Sequence, residues 1–196
     1  MKIITLLFCW IIYFAVHSIL ANDGVKSKIY HKLPTFKKYY RLCYNFIAII
    51  FLLPISYFSI TELGHLIVEN KILKYLGFIF LCIGTILLFA SFSSFNLKEF
   101  FGIEQYQEKE EKEEKGKLVI SGMYQYVRHP LYFSIIIIFL GILCIFPSIK
   151  ILCINTIVYL YLMIGSKLEE KKLIAYFGEE YINYSNKVKG LVPYLY

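Results

Sequence analysis

Long apolar runs separated by short, charge-rich segments dominate the chain. They lie at about 3–21, 42–61, 72–95, 130–147 and 149–166. Each is at or near the roughly 20 residues that a helix needs to cross a hydrocarbon core. The pattern predicts an all-α, polytopic membrane protein of about five transmembrane helices. Only Pro147-Ser148 separates the last two runs, which predicts a C-terminal helical hairpin. The proline ends one helix and the serine can cap the next. Both runs are short, so tilt or a thinner bilayer would accommodate them. A tail, 167–196, follows.

Composition strengthens this picture. The 196 residues are 58% hydrophobic, with a net charge of +7. A soluble domain of this length would need far more polar surface, and the length suits a single membrane domain, 1–196. No separate basic domain is available to bind nucleic acid, and basic loops retained in the cytosol account for the charge. The first run has no small-residue cleavage site after it, only Asn22-Asp23-Gly24, and reads as a retained span. Four of the five cysteines lie within apolar runs and no C-x-x-C pair occurs, so neither a disulfide framework nor a metal site is expected.

Lysine and arginine divide unequally between the connecting segments. Segments 22–41, 96–129 and 167–196 hold 17, and the remainder holds 4. The positive-inside rule then places the N-terminus outside and the C-terminal tail in the cytosol. The run EKEEKEEKGK, 108–117, has no apolar periodicity and reads as a solvated turn or loop.

Three segments of unusual sequence fall on the predicted cytosolic side: SFNLKEFFGIEQ at 94–105, GMYQYVRHPLY at 122–132, and LEEKKLIAYFGEEYINYSNKVKGLVP at 168–193. The hairpin makes the second and third neighbours, so Arg128 and His129 are expected near Glu169 and Glu170. Singly, each residue has an ordinary reading. Arg128 can reach lipid phosphates, and Tyr126 and Tyr132 can belong to an interfacial aromatic belt. Pro130 suits a first helical position. Acidic residues at a helix C-terminus oppose the macrodipole, a penalty that vanishes if the helix continues past Glu169 and Glu170. Together, aromatic, basic and acidic groups converging at a membrane mouth suggest a cofactor pocket.

The pattern Gly122, Tyr124, Tyr126, Val127, Arg128, His129, Pro130, Tyr132, then Glu169, Glu170, Leu173, Phe177, Gly178, Tyr181, Tyr184 and Pro193 resembles a known superfamily. It is that of the integral-membrane methyltransferases related to isoprenylcysteine carboxyl methyltransferase and the phospholipid N-methyltransferases. HSILANDGVKSKIY and YYRLCYNFIAIIFLLP, with FNLKEFFGIEQ, resemble the bacterial branch that includes NnrU-like proteins and methanethiol S-methyltransferases. One departure is Ser134, where many relatives carry glycine or another small residue.

The resemblance implies S-adenosylmethionine as methyl donor, bound at the cytosolic mouth by the hairpin and the tail, in a bacterial inner membrane. It points to Tyr126, Val127, Arg128, His129, Pro130, Tyr132, Glu169, Glu170, Tyr181 and Tyr184 as cofactor-binding residues. Arg128 or His129 can meet the donor's carboxylate, and a glutamate can accept from ribose hydroxyls or the ammonium. Tyrosine rings suit a sulfonium. The implied partner is a small or lipophilic methyl acceptor in the membrane, a thiol being favoured by the N-terminal half. Oligomeric state and a general base stay open. A membrane reductase would read R-x-P-N-Y-x-G-E here, and the chain lacks that asparagine and acid. A non-catalytic NnrU-like role is the remaining alternative.

Overall fold

The structure, a computed structural model, describes residues 3–61, 65–93 and 117–193. Among these the chain is helical, with two isolated backbone bridges and no strand. Segment 94–105 and the charged run 108–117, apart from Lys117, lie outside the described residues. Two compact units divide the chain, Met1–Leu63 with Asn96–Glu113, and Gly64–Phe95 with Glu114–Tyr196.

The first unit carries α1 (Ile3–Ala21), α2 (Asp23–Lys32) and α3 (Lys37–Thr61). The short α2 was not legible as a helix amid its lysines. Asn22 starts it, accepting from the backbone N–H groups of Gly24 and Val25, as an N-cap asparagine does. α1 and α3 run antiparallel and are pinned at both ends. Buried Trp10 donates its indole N–H to Ser59 Oγ at 3.0 Å. Near the other end Tyr40 donates to the Leu20 carbonyl at 2.7 Å, and the Tyr44 hydroxyl meets His17 Nε2 at 2.7 Å.

The second unit holds α4 (Lys71–Phe92), α5 (Pro130–Ile145), α6 (Ile149–Phe177) and α7 (Glu179–Lys187). α4 and α5 lie against each other backbone to backbone. A Cβ added at Gly141 would stand 2.9 Å from the Gly77 carbonyl oxygen and from Leu81 N, and one at Gly84 would stand 2.9 Å from Ile138 N. Farther along the seam, the buried hydroxyls of Ser91 and Ser134 are 3.5 Å apart. Ser134 also donates to the Pro130 carbonyl, so it serves the α4 interface. Small residues allow such approach where lipid offers no hydrophobic drive to helix association.

α1, α3 with its preceding turn, α4 and α6 are each long and apolar enough to cross a membrane. α5 has 16 residues, about 24 Å at 1.5 Å per residue. Its hairpin to α6 forms as expected. α5 ends at Ile145, Pro147 follows, and Ser148 Oγ accepts from Ile151 N at 3.3 Å. α6 differs from the sequence reading: it continues to Phe177 rather than stopping near 166. Glu169 and Glu170 therefore sit inside a helix, clear of its C-terminal carbonyls, and the macrodipole does not oppose them.

Candidate functional site

Residues 122–132 enter α5 through a 3-10 turn, Gly122–Gln125, that begins on Gly122 at φ 62°. They are then strapped to the tail. Arg128 N donates to the Lys189 carbonyl at 2.8 Å, and His129 N to that of Gly190 at 3.0 Å, around a parallel bridge between Val127 and Lys189. Val127 is fully buried and Pro130 is the first residue of α5. Proline loses nothing there, because a first-turn N–H has no partner within the helix.

This strap holds the Arg128 side chain against α6 and α7. Nε donates to Glu170 Oε1 at 2.9 Å, and Nη2 pairs with the same oxygen. Nη1 donates to the carbonyls of Ser185 at 2.9 Å and Val188 at 2.5 Å. Both carbonyls belong to the C-terminal end of α7, where a cation complements the helix dipole. A guanidinium has five N–H donors. These contacts occupy four, leaving one on Nη2 by this count among the described residues.

His129 is buried, its ring stacked on Tyr132 with centroids 5.4 Å apart and planes 11° apart. One ring nitrogen faces each glutamate: Nδ1 lies 3.4 Å from Glu169 Oε2, and Nε2 lies 3.2 Å from Glu170 Oε1. Tyr132 acts on the Glu169 carboxylate as well. The Glu169 side chain is 47% exposed against 24% for Glu170. Glu170 is thus committed to Arg128 and His129, whereas Glu169 keeps a face open to solvent.

The turn into α7 needs Gly178, which has φ 61° and ψ −131°. A Cβ there would meet nothing within 4 Å, so the backbone angle, not space, calls for glycine. The turn brings in two tyrosines. Tyr184 donates its hydroxyl to the Tyr124 carbonyl at 2.6 Å. Tyr181 is 1% exposed, and its hydroxyl has no hydrogen-bond partner among the described residues. Burial and then the Glu170 charge push this phenol up to about 12, against an opposing pull from Arg128. Tyr124 is raised further, by burial first and then by Glu169 and Tyr184. These phenols are neutral donors across the physiological range.

Of the residues read from the sequence, Arg128, His129, Tyr132, Glu169 and Glu170 form one connected cluster, with Tyr181 and Tyr184 beside it. Val127 and Pro130 support it from within. Tyr126 is 56% exposed and joins none of these contacts. The carbonyls of Ser185 and Val188 escaped sequence reasoning, because a carbonyl carries no residue signature. Tyr124 belongs to the recognised pattern yet was not among the cofactor residues.

S-adenosylmethionine can be tested against this set. Its carboxylate needs donors, and the leftover Nη2 hydrogen of Arg128 and the orphan Tyr181 hydroxyl supply them. Its ammonium and ribose hydroxyls need acceptors, which the open face of Glu169 provides. The residues present fit that molecule.

Comparison with known proteins gives the same direction. A methanethiol S-methyltransferase of Crocosphaera subtropica is 30% identical over 129 residues, 65% of this chain and 50% of that protein. One from Pseudomonas deceptionensis is 33% identical over 104 residues, 50% of this chain and 37% of its own. Protein-S-isoprenylcysteine O-methyltransferase B of Arabidopsis thaliana is 32% identical over 87 residues, 43% of each chain. The chain spans about half the length or less of these curated relatives. No solved structure matches it. The family model for phospholipid methyltransferase matches residues 72–180, more than half the chain and all of α4 to α6 with the Arg128–His129–Glu169–Glu170 cluster. The chain belongs to the phospholipid methyltransferase family.

Proposed function

We propose that the protein transfers a methyl group from S-adenosylmethionine to a small or lipophilic thiol at the cytosolic face of a bacterial inner membrane. The observation that carries this reading is the buried Arg128–Glu170–His129 cluster with half-open Glu169 and orphan Tyr181 beside it. It offers donors and acceptors of the kinds the methyl donor needs, within the span that defines the family.

In this reading Glu169 receives the donor's ammonium or ribose hydroxyls, and Tyr181 with the spare Arg128 hydrogen meets its carboxylate. His129 and Glu170 hold Arg128 and Glu169 in place. The donor supplies an electrophilic methyl on a sulfonium. The acceptor's sulfur forms a bond to that carbon as the bond to the donor's sulfur breaks, and the thioether leaves with the electron pair. Alignment contributes most where no covalent enzyme intermediate is needed, and can supply roughly 7–11 kcal/mol. The thiolate is the reactive acceptor form. A thiol is favoured over a lipid amine by the methanethiol S-methyltransferases among the relatives.

Purified protein in nanodiscs titrated separately with S-adenosylmethionine and NADPH is expected to bind the first alone. Binding of NADPH with no affinity for the methyl donor would replace this reading with reduction. Labelled donor supplied with methanethiol, a prenylcysteine analogue and phosphatidylethanolamine in separate assays is expected to label a sulfur compound. Label found only in the lipid amine would overturn the thiol assignment and leave methyl transfer standing.

A further inference from the structure

The first unit contains a cavity that the methyl-transfer reading does not use. It has a volume of about 380 Å³ and lies between α1 and α3. Its α1 wall runs from Cys9 through Tyr13 and Val16 to Leu20, and its α3 wall from Tyr44 through Ala48 and Phe51 to Ile55. Both sets recur at three- and four-residue intervals, so each is a single helical face. Eleven residues of helix make the cavity about 16 Å long.

The hollow exists because the helices are tied at their ends and not between them. Trp10 to Ser59 closes one end, and Tyr44 to His17 with Tyr40 to the Leu20 carbonyl closes the other. In the middle α3 presents Ala48 and Pro54, which reach less far than the leucines and isoleucines around them. The wall is apolar except for the His17–Tyr44 pair. Filling 380 Å³ with water would take on the order of a dozen molecules, each wanting two to four polar partners. One polar pair cannot provide them. An empty hollow would forfeit the dispersion contacts of its lining. The volume falls within the range of ligand pockets, roughly 300–1,000 Å³.

The polar end of the cavity opens toward a basic segment of the same unit. Between α1 and the apolar part of α3 lie Lys26, Lys28, Lys32, Lys37, Lys38 and Arg41, against a single carboxylate, Asp23. Asp23 is paired with Lys26 at 3.2 Å. Five cations in this segment have no acid within it to match them. An apolar slot ending beside a cationic border fits one occupant, a hydrocarbon chain whose headgroup is anionic.

We propose that the α1/α3 cavity binds one acyl chain of an anionic phospholipid, with the phosphate held by the basic segment around α2. The lipid completes the packing of the first unit, and its site is independent of the Arg128 cluster.

Trp10, the only tryptophan in the chain, reports on the cavity, since its ring packs edge-on against the wall residue Tyr13 at 6.1 Å. The test uses the full chain in phosphatidylcholine nanodiscs containing increasing fractions of acyl-brominated phosphatidylglycerol or, separately, acyl-brominated phosphatidylcholine. Trp10 fluorescence is expected to be quenched saturably by the phosphatidylglycerol, at mole fractions several-fold lower than by the phosphatidylcholine. Ala48→Phe, which fills the cavity, is expected to abolish the saturable component, and the double variant K37Q/K38Q to reduce the preference between headgroups. Quenching that rises in proportion to either lipid alike reports bulk lipid only and overturns the proposal. So does saturable quenching that survives Ala48→Phe in a folded variant. If Ala48→Phe does not fold, the surface variant decides, and a headgroup preference unchanged by K37Q/K38Q overturns the assignment.

Discussion

At the scale of single residues, Arg128 does the most connecting. One side chain joins α6 through Glu170 and α7 through the carbonyls of Ser185 and Val188. Lysine at this position could not reproduce the fork, since its ammonium is a point charge on a flexible stem. Replacing Arg128 or Glu169 by alanine is expected to weaken S-adenosylmethionine binding by about 1–3 kcal/mol, the scale of a hydrogen bond to a charged group. Substitutions in the 108–117 charge run are expected to leave it unchanged. Calorimetry finding unchanged affinity in both site variants would misplace the pocket. Tyr181 supports a prediction in pH. Its phenol is raised from an ordinary value near 10 to about 12, so the folded state holds this proton more tightly than the unfolded state. The resulting stability is fully present below about pH 10 and is lost as pH rises through 12. Thermal unfolding of the wild type against Tyr181→Phe should therefore show a smaller alkaline decline in the variant. Parallel curves would remove Tyr181 from the cause.

At the scale of elements, the α4–α5 seam depends on what its residues lack. Gly77, Gly84 and Ser91 recur every seven residues along α4, facing Ser134 and Gly141, also seven apart, on α5. Glycine inside a helix costs about 1 kcal/mol relative to alanine, and close backbone approach offsets that cost. Gly141→Leu would drive a side chain into the Gly77 carbonyl and the Leu81 backbone nitrogen. Overpacking of this kind typically costs about 1–3 kcal/mol, so the midpoint of thermal unfolding in detergent should fall. Gly165→Leu makes a useful contrast. A Cβ at Gly165 meets only the Tyr132 hydroxyl, at 3.8 Å, so that change should act on Tyr132 and donor affinity more than on the seam. Equal losses of stability in the two variants would contradict the assignment of the seam to Gly141.

At the scale of the whole molecule, charge along the chain carries the expectation about the membrane. The basic segments 22–41, 96–129 and 167–196 are expected in the cytosol, with the N-terminus and residues 62–71 outside. Single cysteines introduced into a variant lacking the native five, labelled with an impermeant maleimide on intact cells, would test this directly. Labelling of the C-terminal tail without permeabilisation would reverse the orientation and remove the donor from reach of the site. The native cysteines are all free thiols, so replacing them breaks no disulfide.

What the sequence determined by itself is the part of the protein that depends on composition along one segment. An apolar run long enough to cross hydrocarbon must pair its own backbone, so α1, α3, α4 and α6 follow from their side chains alone. The hairpin at Pro147-Ser148 is equally local, because a missing N–H and a capping hydroxyl act within one turn. From that hairpin came the neighbourhood of Arg128 and His129 with Glu169 and Glu170. Tertiary structure decided what depends on two surfaces at once. The acceptors of the Arg128 fork on α7 are backbone carbonyls, identical in every residue, and only the turn at Gly178 brings them within reach. The approach of Gly141 to Gly77 is set by opposing faces, as is the hollow between α1 and α3, where end contacts hold apart two faces that each read as ordinary membrane helix.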